Sequence, residues 1–457
     1  MTATRTDDFQ TTGPDSLPPD LPVPPPAPPE RTGGMFASLT VPNYRYYFAG
    51  QVVSNTGTWM QRIAQDWLVL GLTGSSFAVG ITTAMQFLPM LLFGLYGGVI
   101  ADRFPKRGLL VLTQATMGLL AAVLAVLTLT GTVEVWHVYL LALLLGMVTV
   151  VDNPTRQSFV PEIVGRQRLR NAVSLNSANF QAARLVGPAV AGALIAAVGS
   201  GWAFAINACS FAAVIAGLLA MRPSELTPVP RLPRRKGQLR DGLRYVSAHP
   251  QLLWPIVMVG FIGTFGYNFP TVLSSFAYHV FDVDAGKYGL LNTALAVGSL
   301  AGALLASRRG RVRMRMLVAT AVGFGVLEAV TAFAPDFWLF TVLLAVVGLL
   351  GLTFNTSGNS MVQLETDPTM RGRVMSLYMM VFTGGTPIGG PIVGWLTEEF
   401  GPRFGLFACG AVSAASAALI GVVLARAAGL RLQISGRRVA LVPRDGSPAA
   451  VSTGRLG

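Results

Sequence analysis

Gly97-Gly-Val-Ile-Ala-Asp-Arg-Phe-Pro-Lys-Arg107, GGVIADRFPKR, ends one apolar run and opens the next. The run before it, 77–101, is long enough to cross a bilayer, and a second of similar length starts at Gly108. Between them stand Asp102, Arg103, Lys106 and Arg107, which makes this a tight charged turn at a membrane face. Asp102 is unfavourable for its own helix, because the C-terminal end of a helix carries partial negative charge. A carboxylate there calls for an arginine or the N-terminal end of another helix, either of which ties the turn to a distant segment. Gly94, Gly97 and Gly98 allow the close helix approach that such a contact needs.

The composition extends this membrane character to the whole chain. Of 457 residues, 52% are hydrophobic and 12% charged, and the mean hydropathy is +0.55. Soluble globular proteins are about a quarter charged, so the chain is read as a polytopic membrane protein. A net charge of +13 raises nucleic-acid binding, but the bases recur between apolar runs and do not gather on one soluble domain. The two cysteines, Cys209 and Cys409, lie inside apolar segments and offer no disulfide framework. No residue grouping suggests a metal, and no cofactor is expected. The start, with LPPDLPVPPPAPPE at 17–30, lacks the apolar core of a signal peptide and reads as a proline-stiffened, disordered tail.

Apolar runs predict twelve spans, at 46–71, 77–101, 108–130, 136–156, 172–198, 201–221, 252–279, 286–306, 314–334, 337–358, 372–397 and 402–426. One set of connections holds Arg103, Lys106 and Arg107; Arg156, Arg166, Arg168 and Arg170; and Arg371 and Arg373. The same set includes Arg222, Arg231, Arg234, Arg235, Lys236, Arg240 and Arg244, and also Arg308, Arg309, Arg311, Arg313 and Arg315. The other set holds only Lys287 and Arg403. The positive-inside rule puts the first set, and both termini, in the cytoplasm of a cell membrane. The domains follow: a tail at 1–43, six helices at 44–221, a basic linker at 222–250, six more at 251–426 and a tail at 427–457.

The halves read as repeats. Arg184-Leu-Val-Gly187-Pro188-Ala-Val-Ala-Gly192 in span 5 is echoed by Ile388-Gly-Gly390-Pro391-Ile-Val-Gly394 in span 11. Phe204-Ala-Ile-Asn-Ala-Cys209 in span 6 is echoed by Phe404-Gly-Leu-Phe-Ala-Cys409 in span 12. Gly302-Ala-Leu-Leu-Ala-Ser307-Arg308-Arg309 ends span 8 as a weakened copy of the opening turn, with Ser307 in the place of Asp102. Echoes at corresponding spans point to duplication. Duplicated membrane halves place a binding site at mid-membrane between them, which is transport architecture.

G98-V-I-A-D-R-F-P-K-R107 resembles the loop between helices 2 and 3 of the major facilitator superfamily, G-x-L-A-D-R-x-G-R-R, with Ile100 for leucine and Pro105 for glycine. The resemblance covers about residues 40–426. Within the superfamily it looks most like the twelve-helix branch of drug:proton antiporters that holds the enterobactin exporter and macrolide-efflux proteins. The carrying residues are Gly57-Thr-Trp59-Met-Gln-Arg-Ile-Ala-Gln65-Asp66-Trp67-Leu-Val-Leu, Leu72-Thr-Gly-Ser75, Asp152-Asn-Pro154-Thr-Arg156-Gln157, Arg184 to Gly192 and Arg371-Gly372-Arg373. The implied fold is all-α, with twelve transmembrane helices in two pseudo-symmetric halves around a central cavity. The Gly187-Pro188 bend looks like the antiporter-type motif of exporters, which favours export.

Span 1 is too polar to face lipid. Gln51, Asn55, Thr58, Arg62 and Gln65 with Asp66 recur at steps of three and four and make one stripe. An ionisable group in a spanning segment is costly and by default functional. Burial disfavours a charged carboxylate and a nearby cation favours it, so a site that gains and loses a cation as the halves rock can load and release a proton. Asp66 is the candidate for that task, with Arg62 and Arg184 beside it. The alternative is that Arg62, one turn away, pairs with Asp66 and fixes packing. Ser174, Ser177, Gln181 and Arg184 form a second polar face in span 5. Arg184 there binds an anionic group, neutralises Asp66 or bonds the backbone near Gly187 and Pro188.

In the second half, Tyr267, Asn268 and Thr271, Asn292, and Asn355, Thr356 and Asn359 are neutral groups that either shape a cavity or bond helices together. Trp59, Phe87, Phe265, Tyr267 and Phe382 suit an amphipathic ligand. Glu328 lies toward the outer end of span 9, an outer-ring helix of this fold, and reads as structural or interfacial. Gly98, Asp102, Arg103, Arg107 and Arg373 are assigned to a conformational gate, with Asp102 meeting the start of span 11 near Gly372 and Arg373.

No Walker-type phosphate loop is present, so drive by ATP within the chain is not expected. The sequence predicts a proton-coupled exporter of small amphipathic molecules such as a drug, siderophore or secondary metabolite, acting as a monomer among membrane lipids. The competing readings are a lipid flippase or facilitator on the same fold, and a non-transporting sensor or scaffold. A membrane enzyme would need a convergent catalytic set, which is absent.

Overall fold

The computed structural model describes residues 34, 36–227, 238–307, 313–427, 430–435 and 438–443. The chain crosses the membrane twelve times. The helices are α1 (Pro42–Thr73), α2 (Ser76–Arg103), α3 (Lys106–Leu129), α4 (Val135–Gly165), α5 (Gln167–Val198) and α6 (Ser200–Ala220), then α7 (Pro250–Phe265, Phe269–Ser275 and the π-turn Phe276–Val280). α8 (Ala285–Ser307), α9 (Met314–Thr331), α10 (Phe337–Glu365), α11 (Arg371–Gly384 and Thr386–Phe400) and α12 (Pro402–Ala427) complete the set. By length and composition alone, ten helical segments among the described residues qualify as spans. α1 falls below because of its polar stripe, and α11 because Gly385 divides it into pieces of 14 and 15 residues.

The charged turn that opened the sequence is as short as its spacing implied. Phe104 and Pro105 alone separate α2 from α3, and the Pro105 carbonyl accepts from Leu109 N at 3.0 Å. The next basic turn departs from expectation. Residues 157–171 form no loop: α4 runs on to Gly165, whose left-handed backbone (φ 69°) turns the chain directly into α5. Only glycine adopts that conformation without cost, so one residue does the work of a loop. Arg156 therefore lies inside α4 and not in a connection.

Order also extends into both expected tails and the linker. Ala37–Thr40 forms a 3₁₀ turn, and Ser38 N donates to Asn171 Oδ1 at 2.8 Å while Ser38 Oγ donates to Arg168 O at 3.0 Å. Gln238–Ala248 forms a linker helix packed on the start of α11, with Asp241 Oδ2 at 3.5 Å from Arg373 Nη1. Leu430–Ser435 pairs antiparallel with Arg438–Pro443 in a hairpin. Residues 1–33 of the N-terminal tail, Arg231, Arg234, Arg235 and Lys236 of the linker, Arg308, Arg309 and Arg311, and 444–457 lie outside the described residues.

Small residues set the packing. A Cβ on Gly97 would come within 1.9 Å of the Val150 carbonyl oxygen, where α2 crosses α4. A Cβ on Gly298 would come within 1.7 Å of the Ala345 oxygen, at the equivalent crossing of α8 and α10. The same correspondence pairs α2 on α11, through Gly80 and Gly390, with α8 on α5, through Gly289 and Gly192. The repeat seen in the sequence is thus a repeat of crossings, each made by backbones in direct contact. Within the first half, Asp152 Oδ1 accepts from Thr113 Oγ1 at 2.7 Å and from Gln114 Nε2 at 2.8 Å. Asp152 Oδ2 pairs with Arg156 Nη2 at 2.5 Å, and Arg156 Nη1 donates to Gln51 Oε1 at 2.5 Å. That buried network ties α1, α3 and α4 into one body.

The α8–α10 crossing should tolerate no added carbon. Gly298→Ala is expected to destabilise the protein by about 1–3 kcal/mol through overpacking, read as a lower thermal midpoint in detergent. Gly323→Ala, whose methyl would meet only the Leu350 side chain at 3.7 Å, should leave the midpoint unchanged.

Candidate functional site

α1, α2 and α5 of the first half and α7, α8, α9, α10 and α11 of the second border a cavity of about 420 Å³ between the halves. Asp66, Arg62, Arg184 and Gln181 border it from the first half, and Tyr267, Asn292 and Asn355 from the second. Trp59, Phe87 and Phe382 supply aromatic walls. The other sequence candidates lie elsewhere. Asn55 and Thr58 are half-buried on α1, and Gln65 is buried beside the cavity wall. Asn268 is buried with its amide on Thr264 O at 2.5 Å, and Asn359 Oδ1 accepts from Gln363 Nε2 at 2.6 Å. Phe265 packs against the core next to the cavity.

Local breaks aim these groups. Gly266 and Pro270 interrupt α7, since proline cannot continue a helix from within but starts one readily. The interruption points Tyr267 inward, where its hydroxyl donates to Gly351 O of α10 at 2.8 Å. On α1, the guanidinium of Arg62 lies 5.0 Å from the centre of the Trp59 ring and 5.7 Å from that of Phe87. Arg184 approaches the same Trp59 ring, at 5.8 Å. Two cations so close to aromatic faces are partly stabilised by the ring quadrupoles, and they leave the cavity wall positively charged.

The expected alternative, an ion pair between Arg62 and Asp66, does not form in this state. Among the described residues no ion pair joins Asp66 to Arg62 or Arg184. Asp66 Oδ2 instead accepts from the hydroxyl of Tyr288, across the halves, at 3.2 Å. Tyr288 also stacks on Trp67, with ring centres 5.6 Å apart and planes at 22°. Local sequence does not mark Tyr288, because it lies at the start of a span and its partner is more than two hundred residues away. Gln86, a lone amide in the apolar run before GGVIADRFPKR and absent from the sequence candidates, also borders the cavity.

The layer beyond Asp66 clamps the halves together on the side away from the arginine-rich connections. Phe77 N donates to Glu398 Oε2 at 2.9 Å, and Ser75 Oγ donates to the same carboxylate. Ser76 and Ser275 share a hydroxyl contact, and His279 Nε2 meets Gly74 O at 3.2 Å. The gate candidates lie at the opposite, basic end. Arg107 Nε donates to Leu218 O at 2.7 Å and its Nη2 to Leu219 O at 3.0 Å, which holds the end of α6. Gly98 is buried in α2, Asp102 is half-buried in its last turn and Arg103 is exposed. Arg373 faces Asp241 of the linker helix.

A family model described as transmembrane secretion effector matches residues 33–437. The chain belongs to that family. It is therefore a secondary transporter of the major facilitator superfamily and a multi-pass membrane protein. Among its relatives, the staphyloferrin A transporter of Staphylococcus aureus is 26% identical over 363 residues, 78% of this chain and 90% of that protein. The enterobactin exporter of Salmonella choleraesuis is 25% identical over 390 residues, 84% of this chain and 92% of that protein. Among solved structures, an inward-facing, unoccupied bacterial homologue of the human lysosomal transporter Spinster matches with a TM-score of 0.66 at 13% identity, over 83% of this chain and 97% of that one. The nucleoside transporter NupG matches with a TM-score of 0.63 at 14% identity, over 84% and 99%. At that identity the structures share the fold alone with this secretion-effector chain.

Tyr288→Phe keeps the stack on Trp67 and removes the bond to Asp66. Loss of one such bond costs about 1 kcal/mol, so the population closed at this clamp should fall roughly fivefold relative to the one open there. A single reporter cysteine at Gln181, in a chain lacking Cys209 and Cys409, should then label faster from the non-basic side.

Proposed function

We infer that this secretion-effector protein is a proton-coupled exporter of small, anionic, amphipathic molecules of siderophore type, working by alternating access as a monomer. The observation that carries this is the juxtaposition of Arg62 and Arg184 around Trp59 in a cavity shared by both halves, with Asp66 bonded across them. Two guanidinium groups beside aromatic walls favour a ligand that brings negative charge and a flat or apolar body. The volume fits a small ligand, and the names of the siderophore-handling relatives support that class.

The positive-inside rule places the arginine-rich face in the cytoplasm. The clamp at Gly74, Ser75, Ser76 and Glu398 then closes the outer side, and substrate enters from the cytoplasm. An anionic substrate entering between Arg62 and Arg184 competes with Asp66 for their positive field. Opening the clamp removes Tyr288 from Asp66, exposes the carboxylate to the outer medium and lets it take a proton while substrate leaves. Closure restores the Tyr288 bond, and the proton is released inward. One charge crossing about 150 mV releases roughly 3.5 kcal/mol. A hundredfold solute gradient costs about 2.7 kcal/mol, so one proton per substrate is sufficient.

Gly98, Asp102, Arg103, Arg107 and Arg373 form the cytoplasmic gate of this cycle. Arg107 fixes α6 to the turn, and Arg373, held by Asp241 in the outer-closed state, lies two residues into α11, in the first turn that Asp102 meets when the cytoplasmic side closes.

Cells carrying the native chain, no chain, or Asp66→Asn at matched membrane abundance should separate the transport reading from its rivals. The expected result is an anionic amphipathic compound that builds up inside without the chain and with Asp66→Asn alike. Equal profiles in native and empty cells would contradict export. For the gate, Asp102→Asn should slow transport at least tenfold and bias labelling of cavity cysteines toward the cytoplasmic side. Unchanged transport and unchanged labelling from both sides would remove Asp102 from it.

A further inference from the structure

The second half buries a carboxyl group that the transport site does not use. Glu328 of α9, read from sequence as structural or interfacial, is not interfacial: it is 2% exposed. Its Oε2 has no hydrogen-bond partner, and the same holds for buried Thr271 Oγ1 and Asn268 Oδ1 of α7, Thr397 Oγ1 of α11 and Ser413 Oγ of α12. Among these Glu328 is the one carboxyl group, and a buried polar atom without a partner is costly, most of all in hydrocarbon.

Glu328 lies on the seam between α9 and α12. Gly325 and Ala329, on the same face, press directly against α12: a Cβ on Gly325 would meet Ala414 N at 2.4 Å, and one on Gly410 would meet Ala329 N at 2.3 Å. The ionisable groups within electrostatic reach are Cys409 from α12 and Tyr267 from α7. α10, the other neighbour of α9, carries ionisable groups only at its ends, Asp336 and Glu365. Arg403, at the start of α12, gives its Nη1 to Ala332 O and Ala334 O at 2.9 Å each. No described cation pairs with Glu328. A bound metal ion would need several oxygen ligands around open space, and backbone-to-backbone contact along the seam denies it that space. A proton needs none.

The carboxyl is also close to the transport site. Phe324, one turn before Glu328 on α9, lines the central cavity, and so does Tyr267. Glu328 is thus one helical turn from one residue of the chamber wall and within electrostatic reach of another.

We propose that Glu328 is a proton-binding site of the C-terminal half, neutral in this outer-closed state and exchanging its proton with the central cavity past Tyr267 and Phe324. The site is distinct from Asp66 and does not require that Asp66 couples transport. Neutralisation removes the penalty of a lone buried charge.

Infrared spectroscopy of the purified full chain in lipid nanodiscs tests this at neutral pH, in water and in D₂O. The expected spectrum has a protonated-carboxyl stretch that shifts on transfer to D₂O, is lost in Glu328→Gln and persists in Asp66→Asn. Glu328→Gln is isosteric with the neutral acid, so it should fold and melt as the native chain does. A native spectrum without the band, or a band that survives Glu328→Gln, would overturn the proposal. So would a Glu328→Gln chain that fails to fold, since that would mean the ionised form is required. A band that resists D₂O would refute exchange with the cavity, and one abolished by sodium at constant ionic strength would assign the site to a cation.

Discussion

The cavity exists because two pairs of helices touch backbone to backbone on one side of it. α2 meets α11 through Gly80 and Gly390, and α5 meets α8 through Gly192 and Gly289. In a bilayer there is no hydrophobic force between helices, so close packing of small residues and hydrogen bonds must hold the halves. The polar layer of Ser75, Ser76, Glu398 and Ser275 adds bonds at the same end. Helices held together at one end and spread around side chains as large as Trp59 and Phe382 leave a chamber between them. The same contacts are few and mostly neutral, which suits an interface that opens: among the described residues no buried ion pair spans it.

Charge is distributed to match. The first half encloses a hydrogen-bonded network of Asp152, Arg156, Gln51, Thr113 and Gln114, which ties α1, α3 and α4 together. The cavity holds two guanidinium groups, Arg62 and Arg184, that no carboxylate among the described residues pairs directly, and this is where a ligand can interact with the protein rather than the protein with itself. Asp66 stands between these regimes. Its bond to Tyr288 is available only while the halves are together, so its environment changes with the conformation, as a coupling group requires.

Much of this fold is legible in the chain because a membrane imposes few solutions. Twelve apolar runs, the short charged turn and the echoes at Gly187-Pro188 and Gly390-Pro391 each follow from backbone satisfaction in lipid. What was misplaced is where helices continue beyond the apolar region: α4 and α5 extend past Arg156 and Arg168 because polar helix is as stable in water as loop, and hydropathy does not mark its end. The site divides in the same way. Arg62, Asp66 and Arg184 stand out because charge in a span is rare. Asn55, Thr58, Asn268 and Asn359 were grouped with them by residue type, but rotation of each helix about its axis sends them elsewhere, and that rotation is set by partners such as Tyr288 that local sequence does not reveal.

In the proposed cycle the halves rock about the cavity, with the clamp breaking as the basic side closes. Pulsed electron resonance distances in nanodiscs address it directly, using spin-label pairs on Thr73 with Glu399 at the clamped end and on Arg103 with Arg371 at the basic end. Across a pH series with an anionic amphipathic ligand, the first distance should lengthen as the second shortens, within one population exchange. A clamped-end distance that never changes while the same preparation transports would contradict the account.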